Sequence, residues 1–269
     1  MTPHRSSNRI PVPGLSGRRP LLAWAALLTL VVLAIPGAPA QTGFNRDLIV
    51  LDPAHGGANM GAQIADHVLE KDITLAMALR LRSLLAARGF TVVLTRDGDA
   101  ALSTDQRAEL ANRAHAVACL VLHASASGSG VHLATSTLNN VTPNPGAPVR
   151  WDEAQAAFLT QSERLADQIA TALNRSQLPL VVDRAALRPL DNLQCPALAV
   201  ELAPLTSGVS SGGGSDATPV TDPGYQQRVG EAIAGALILW RTQARPPVMA
   251  PARGASTAVQ DGQPAGATP

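Results

Sequence analysis

Apolar and polar positions alternate in blocks along most of the chain, and the blocks change period. Asp47-Leu48-Ile49-Val50-Leu51-Asp52 is a short, continuous apolar run that stops at Pro53, the pattern of a strand buried on both faces. Residues 53–69 are Gly-rich and irregular. From Asp72, a residue able to cap a helix, Ile73, Met77, Leu81, Leu84 and Leu85 recur on one helical face to about Arg88, and Gly89 stands where that helix should end. Phe90 to Thr95 returns to a strand. Ser103-Thr104-Asp105-Gln106 is a capping box, which predicts a helix to about His115. Val117–Leu122 and Gly130–Ala134 read as further buried strands. Residues 139–150 form a Pro/Asn loop, a long helix is expected from about Asp152 to Asn174, and Ala197–Leu202 is a strand. Residues 206–223, with Ser210-Ser211-Gly212-Gly213-Gly214-Ser215, read as a flexible loop. Pro223 opens a last helix to about Trp240.

Strands that alternate with helices predict one α/β domain with a mostly parallel, twisted sheet and helices on both faces. In such sheets ligands bind beyond the carboxyl ends of the strands. His55 follows the first strand by three residues, and His123 and Glu201 close two later ones. Glu70 lies at the head of the first helix. Two imidazoles and a carboxylate with one position left open are a ligand set for catalytic zinc, one ion per chain, and a spare carboxylate is what such a metal needs to activate water. The residues alone do not say which glutamate has which role.

Composition adds context to this pattern. Arg5, Arg9, Arg18 and Arg19 precede the apolar run Leu21–Ile35, and Ala38-Pro39-Ala40 fits a small-residue cleavage site. Residues 1–40 therefore read as a secretory signal, with an uncleaved anchor as the rival reading. The run is short of the about 20 residues a membrane span needs. Gly17-Arg18-Arg19-Pro20-Leu21-Leu22 also hints at twin-arginine export. Export places residues 41–244 in the periplasm or outside the cell, and the Pro/Ala/Gly-rich stretch 245–269 reads as a disordered tail. The chain has 21 basic and 20 acidic residues; without the first forty, 17 basic residues face 20 acidic ones. No basic run survives to suggest nucleic acid, and no membrane partner is expected after cleavage. Lys71 is the only lysine. Cys119 and Cys195 both lie in or beside apolar runs and read as small hydrophobes, although export permits a disulfide between them.

Several ordered segments together resemble the zinc-dependent N-acetylmuramoyl-L-alanine amidases, a family of cell-wall amidases of the amidase-3 type. They are Asp52-Pro53-Ala54-His55-Gly56-Gly57, Glu70-Lys71-Asp72, Leu94-Thr95-Arg96-Asp97, Gln106-Arg107 to Asn112, Val121-Leu122-His123-Ala124, Pro196 to Glu201 and Asp222-Pro223-Gly224-Tyr225. The resemblance covers most of residues 47–241. It implies that His55, Glu70 and His123 bind Zn²⁺, that Glu201 is the general base, and that the substrate is peptidoglycan, cut at the amide between N-acetylmuramic acid and L-alanine. It leaves any activator protein unknown. Three positions depart from the family pattern: Ala54 stands for Gly, Ser125 for Asn, and Asp191 falls near an Arg. A positive φ at Ala54 would cost about 1 kcal/mol.

Other functions follow if those departures matter: a degenerate domain that binds peptidoglycan or a partner without cutting it, or a zinc peptidase acting within the stem peptide. His67 and Ser125 are the candidate substrate contacts. His115 and His132 read as structural. Ser125 and Ser127 lack the G-x-S-x-G elbow of a serine hydrolase.

Overall fold

A computed structural model describes residues 45–141, 150–206 and 217–243. Six strands make the main sheet. They are β1 (Asn45–Pro53), β4 (Thr91–Leu94), β5 (Ala116–Ala124), β6 (Val131–Ser136), β7 (Leu180–Ala185) and β8 (Ala197–Leu202). Two short pairs, β2 (Gln63–Ala65) with β3 (Val68–Leu69) and β9 (Leu205–Thr206) with β10 (Ala217–Thr218), lie outside it. The helices are α1 (Glu70–Ala86), α2 (Thr104–Ala114), α3 (Leu159–Arg175) and α4 (Pro223–Gln243). The sheet order is β4-β1-β5-β8-β6-β7. The first four of these strands run parallel, β6 runs antiparallel to β8, and β7 is parallel to β6.

Each sheet face has its own core. Ile49, Leu51, Leu120, Leu122, Leu198 and Val200 point to the side covered by α1, α3 and α4, where Met77, Leu81, Ile169, Leu173, Ile233 and Leu237 meet them. Val50, Cys119, Val121, Ala197 and Ala199 point the other way, to Ala108 and Ala111 of α2 and to Leu190 and Leu193. Side chains alternate between faces along a strand, so strands buried on both sides need apolar residues at every position. Among the described residues, no helix is long and apolar enough to cross a membrane.

The capping box forms: Ser103 Oγ accepts from Gln106 N at 3.2 Å, and Gln106 Oε1 accepts from Ser103 N at 2.9 Å. Asp222 caps α4, its Oδ1 accepting from Tyr225 N at 2.6 Å. The buried Tyr225 hydroxyl lies 2.9 Å from the Gly130 carbonyl and 3.0 Å from that of Ala203, which ties α4 to the loops at one end of the sheet. Burial pushes this phenol up to about 12.

Several expectations are corrected. Helix α1 starts at Glu70, not at Asp72, and its N-cap Leu69 supplies no side-chain cap; Glu70 and Asp72 offset the helix dipole in the first turn. Residues 53–69 are not wholly irregular, since they hold the β2–β3 hairpin. The stretch from Asp152 to Asn174 is two elements: a 3₁₀ helix, Trp151–Ala157, and then α3. The cysteines are not free hydrophobes. Cys119 and Cys195 form a disulfide, with Cα atoms 6.2 Å apart and 76 positions separating them in sequence. It clamps β5 to the turn before β8, because the parallel register brings Cys119 opposite Ala197. Residues 1–40, the segment 245–269 and most of the Gly/Ser-rich loop lie outside the described residues.

Candidate metal centre

His55, Glu70 and His123 meet at the carboxyl edge of the sheet, each offering one ligand atom, and these atoms lie within 4.8 Å of one another. Glu70 stands between the rings. Its Oε2 is 3.1 Å from His55 Nε2 and its Oε1 is 2.9 Å from His123 Nδ1. Backbone N–H groups of Ala62 and Ala124 donate to the same two oxygens at 2.9 and 3.2 Å. Burial alone would raise the Glu70 carboxyl, but the hydrogen bonds from His123, His55 and Ala62 hold it far below the usual carboxylate range. The hydrogen bond to Glu70 in turn raises His55, against burial and with help from Asn59.

Two features prepare the cluster for a cation. His55 Nδ1 is 2.9 Å from Asn59 Oδ1, so Nδ1 donates there, and Nε2 faces Glu70 and becomes the metal-binding nitrogen once it gives up its proton. Gly61, at φ +69°, lies over the cluster. A Cβ there would come within 2.7 Å of Glu70 Oε2 and of His55 Cδ2. Two imidazoles and a carboxylate, with room kept by a glycine, fit a zinc-type ion.

The loop that carries His55 turns sharply: φ is +64° at His55, +132° at Gly56 and +58° at Gly57. Ala54 is absent from the positive-φ positions, so its substitution for Gly carries no backbone cost. Buried arginines take up the carbonyls this turn exposes. Arg107 donates to Asp52 Oδ1 at 2.8 Å, to the Pro53 carbonyl at 2.7 Å and to the His55 carbonyl. Arg96 reaches the Pro53 and Ala54 carbonyls at 2.9 and 3.0 Å and the Lys71 carbonyl at 2.8 Å. Lys71 and Asp99 clamp Gly57 through its carbonyl and its N–H. Arg96 and Arg107, which stand in the sequence motifs without an evident role, fix the loop that presents His55.

Glu201 faces the same edge. Residues paired across neighbouring strands emerge on one face, and the register pairs His123 with Glu201 and Glu201 with His132. The Glu201 side chain is 40% exposed. It borders a cleft of about 290 Å³ whose wall includes His123, His132, Ala134, Val181, Leu187 and Ala199. A larger groove, about 630 Å³, lies between α3 and α4 and contains none of these groups.

The remaining candidates lie elsewhere. His67 is exposed in the turn of the β2–β3 hairpin, and Ser125 bonds with Ser127; neither lines the cleft. Asp191 accepts from Ser136 Oγ at 2.6 Å and has a structural part. His115 caps α2 in a left-handed conformation, as a structural residue would. His132, expected to be structural, instead faces the cleft beside Glu201. Asn59, Gly61 and His132 carried no periodic or motif signal that would have singled them out.

Fold and cluster together define the class: an α/β domain with a His/Glu/His group able to hold a cation at the carboxyl edge of its sheet. Comparison with known proteins supplies the family. The N-acetylmuramoyl-L-alanine amidase family model matches residues 49–238, and the chain belongs to that family. It is 31% identical over 189 residues to N-acetylmuramoyl-L-alanine amidase LytC of Bacillus subtilis, a match covering 70% of this chain but 34% of that protein. It is 26% identical to the germination-specific N-acetylmuramoyl-L-alanine amidase of the same organism, covering 76% of this chain and 84% of the relative. The solved structure of amidase Ami1 from Mycobacterium smegmatis shares the fold with a TM-score of 0.55 at 22% identity, covering 73% of this chain and 97% of that one.

Proposed function

We propose that this protein is an exported, zinc-dependent peptidoglycan amidase that hydrolyses the amide between N-acetylmuramic acid and L-alanine of the stem peptide. The observation that carries this reading is the pairing of His123 with Glu201 across β5 and β8. It sets a half-exposed carboxylate on the same face as the His55–Glu70–His123 cluster, in a chain of the amidase family. His55 Nε2, Glu70 and His123 Nδ1 would hold the ion. Bound zinc lowers the pKa of water to about 7 and polarises a substrate carbonyl.

The residues of the chain divide the remaining work. Glu201 accepts the proton of the attacking water and passes it to the nitrogen of the departing L-alanine. Glu70, kept ionised by its neighbours, stays a ligand and does not compete as a base. Asn59 holds the His55 ring, and the Arg96–Arg107 pair holds its backbone. In this reading residues 1–40 serve as the export signal and 41–244 form the catalytic domain.

Digestion of purified sacculi with the zinc-loaded protein tests the reading. Mass spectrometry should show intact stem peptides that begin with L-alanine, and a chelator should abolish their release. Glu201→Gln should lower turnover by about 10²–10⁴-fold while zinc stays bound. Cleavage inside the stem peptide would point to a peptidase, and zinc binding without any release to a binding domain.

A further inference from the structure

We propose that His132 is a positioning residue for Glu201. The inference rests on the reading of Glu201 as the base. It arises from a row of paired residues that crosses four strands: His123 on β5, Glu201 on β8, His132 on β6 and Val181 on β7. In that row the glutamate stands between two imidazoles, of which His123 belongs to the metal cluster and His132 does not.

His132 Nδ1 lies 3.7 Å from Glu201 Oε1, and among the described residues it is the one ion-pair partner within reach of that carboxylate. Neither group is buried, at 34% and 40% side-chain exposure, so the contact is not a core necessity. It is formed where both side chains face the cleft. A half-exposed glutamate samples several rotamers, and holding one of them has an entropic cost that a fixed neighbour lowers. The His132 side chain has neighbours on two sides. Its ring packs beside Gly128, where an added Cβ would stand 3.0 Å from Cε1 and 3.4 Å from Nε2, and Val181 flanks it from the edge strand.

The other charged groups on the cleft are engaged elsewhere. Arg184 donates to the Ser136 and Leu138 carbonyls at 3.0 and 2.7 Å, and Asp183 accepts from its neighbour's backbone N–H at 2.7 Å. His123 faces Glu70. The His132 ring, on the flank away from the metal cluster, is therefore what can hold one oxygen of the Glu201 carboxylate and leave the other for the metal side of the cleft. Because β6 runs antiparallel to β8, it is a residue near the start of a strand that reaches this edge.

The full, zinc-loaded chain, acting on a soluble N-acetylmuramoyl peptide, provides the test. His132→Ala should lower kcat about tenfold or more, with KM within about twofold, unchanged zinc content and unchanged Tm. His132→Gln, which keeps a donor of similar reach, should recover part of the loss. In a double-mutant cycle with Glu201→Asp, whose carboxylate is drawn back by one methylene, the two effects should be clearly less than additive. Wild-type kcat in His132→Ala, or full additivity with Glu201→Asp, overturns the inference while leaving the base assignment standing. Full activity in Glu201→Gln would instead remove the base assignment itself. If His132→Ala loses zinc or stability, His132→Phe, which keeps the bulk of the ring without a donor, decides by the same criteria.

Discussion

At the scale of single residues, the candidate ligand set is built from backbone constraints as much as from side chains. His55 projects from a left-handed position, a conformation costing roughly 1–2 kcal/mol for a residue with a Cβ. The bonds of Arg96 and Arg107 to three successive carbonyls hold it there. His55, Glu70 and His123 were readable because ligand-type residues at strand and helix ends are conspicuous against apolar runs. Asn59 and Gly61 were not, since an amide and a glycine in an irregular stretch fit any loop. Gly61 gives a sharp test. Gly61→Ala would drive a methyl into Glu70 and His55 and strain a backbone at φ +69°. Zinc affinity should fall by about 10–100-fold, measured by competition with a chromophoric chelator, while circular dichroism stays that of the native fold. Affinity equal to wild type would mean the glycine does not shape the cation cradle.

At the scale of elements, the sequence spoke most clearly where burial was most complete. β5 and β8 are apolar on both faces and were found within two residues of their ends. β7 was missed. Its four middle residues, Val181 to Arg184, are exposed at the sheet edge, and its apolar run is only Leu180-Val181-Val182 between Pro179 and Asp183, too short to mark a strand. The cysteines read as small hydrophobes, not as a pair, because pairing depends on which strands become neighbours, and that is a matter of topology. Closing a loop across 76 positions restricts the unfolded chain. Cys119→Ala with Cys195→Ala should therefore lower stability by about 2–5 kcal/mol in urea unfolding without reductant. A midpoint matching wild type under those conditions would show that the cross-link adds nothing to this fold.

At the scale of the whole molecule, the proposed metal would compete with protons for one cluster. The His55 value is raised by Glu70, so in the metal-free protein its contribution to stability is full below 6.5 and fades as pH rises through the raised value. Glu70 is lowered, so its contribution holds above 4.5 and is lost as pH falls through the depressed value. Metal binding needs both rings unprotonated, and proton release then accompanies it. The rise in Tm produced by zinc should accordingly be small at about pH 5.5 and large at about pH 7.5, by calorimetry with and without the ion. A zinc-induced shift of equal size at both values would rule out this competition.

The sequence by itself determined the α/β class, the order of most strands and helices, and the candidate site residues His55, Glu70, His123 and Glu201. Each depends on local periodicity or on residue type beside a turn, and both are written in the linear chain. Only the tertiary structure decided which groups face one another. The antiparallel entry of β6 brings His132 beside Glu201, the parallel pairing of β5 with β8 joins Cys119 to Cys195, and the packing of α2 against β1 places Arg107 under the His55 loop. Those contacts span between 52 and 76 positions in two cases and cross a strand reversal in the third. They follow from how the whole sheet is assembled, which no short window of sequence contains.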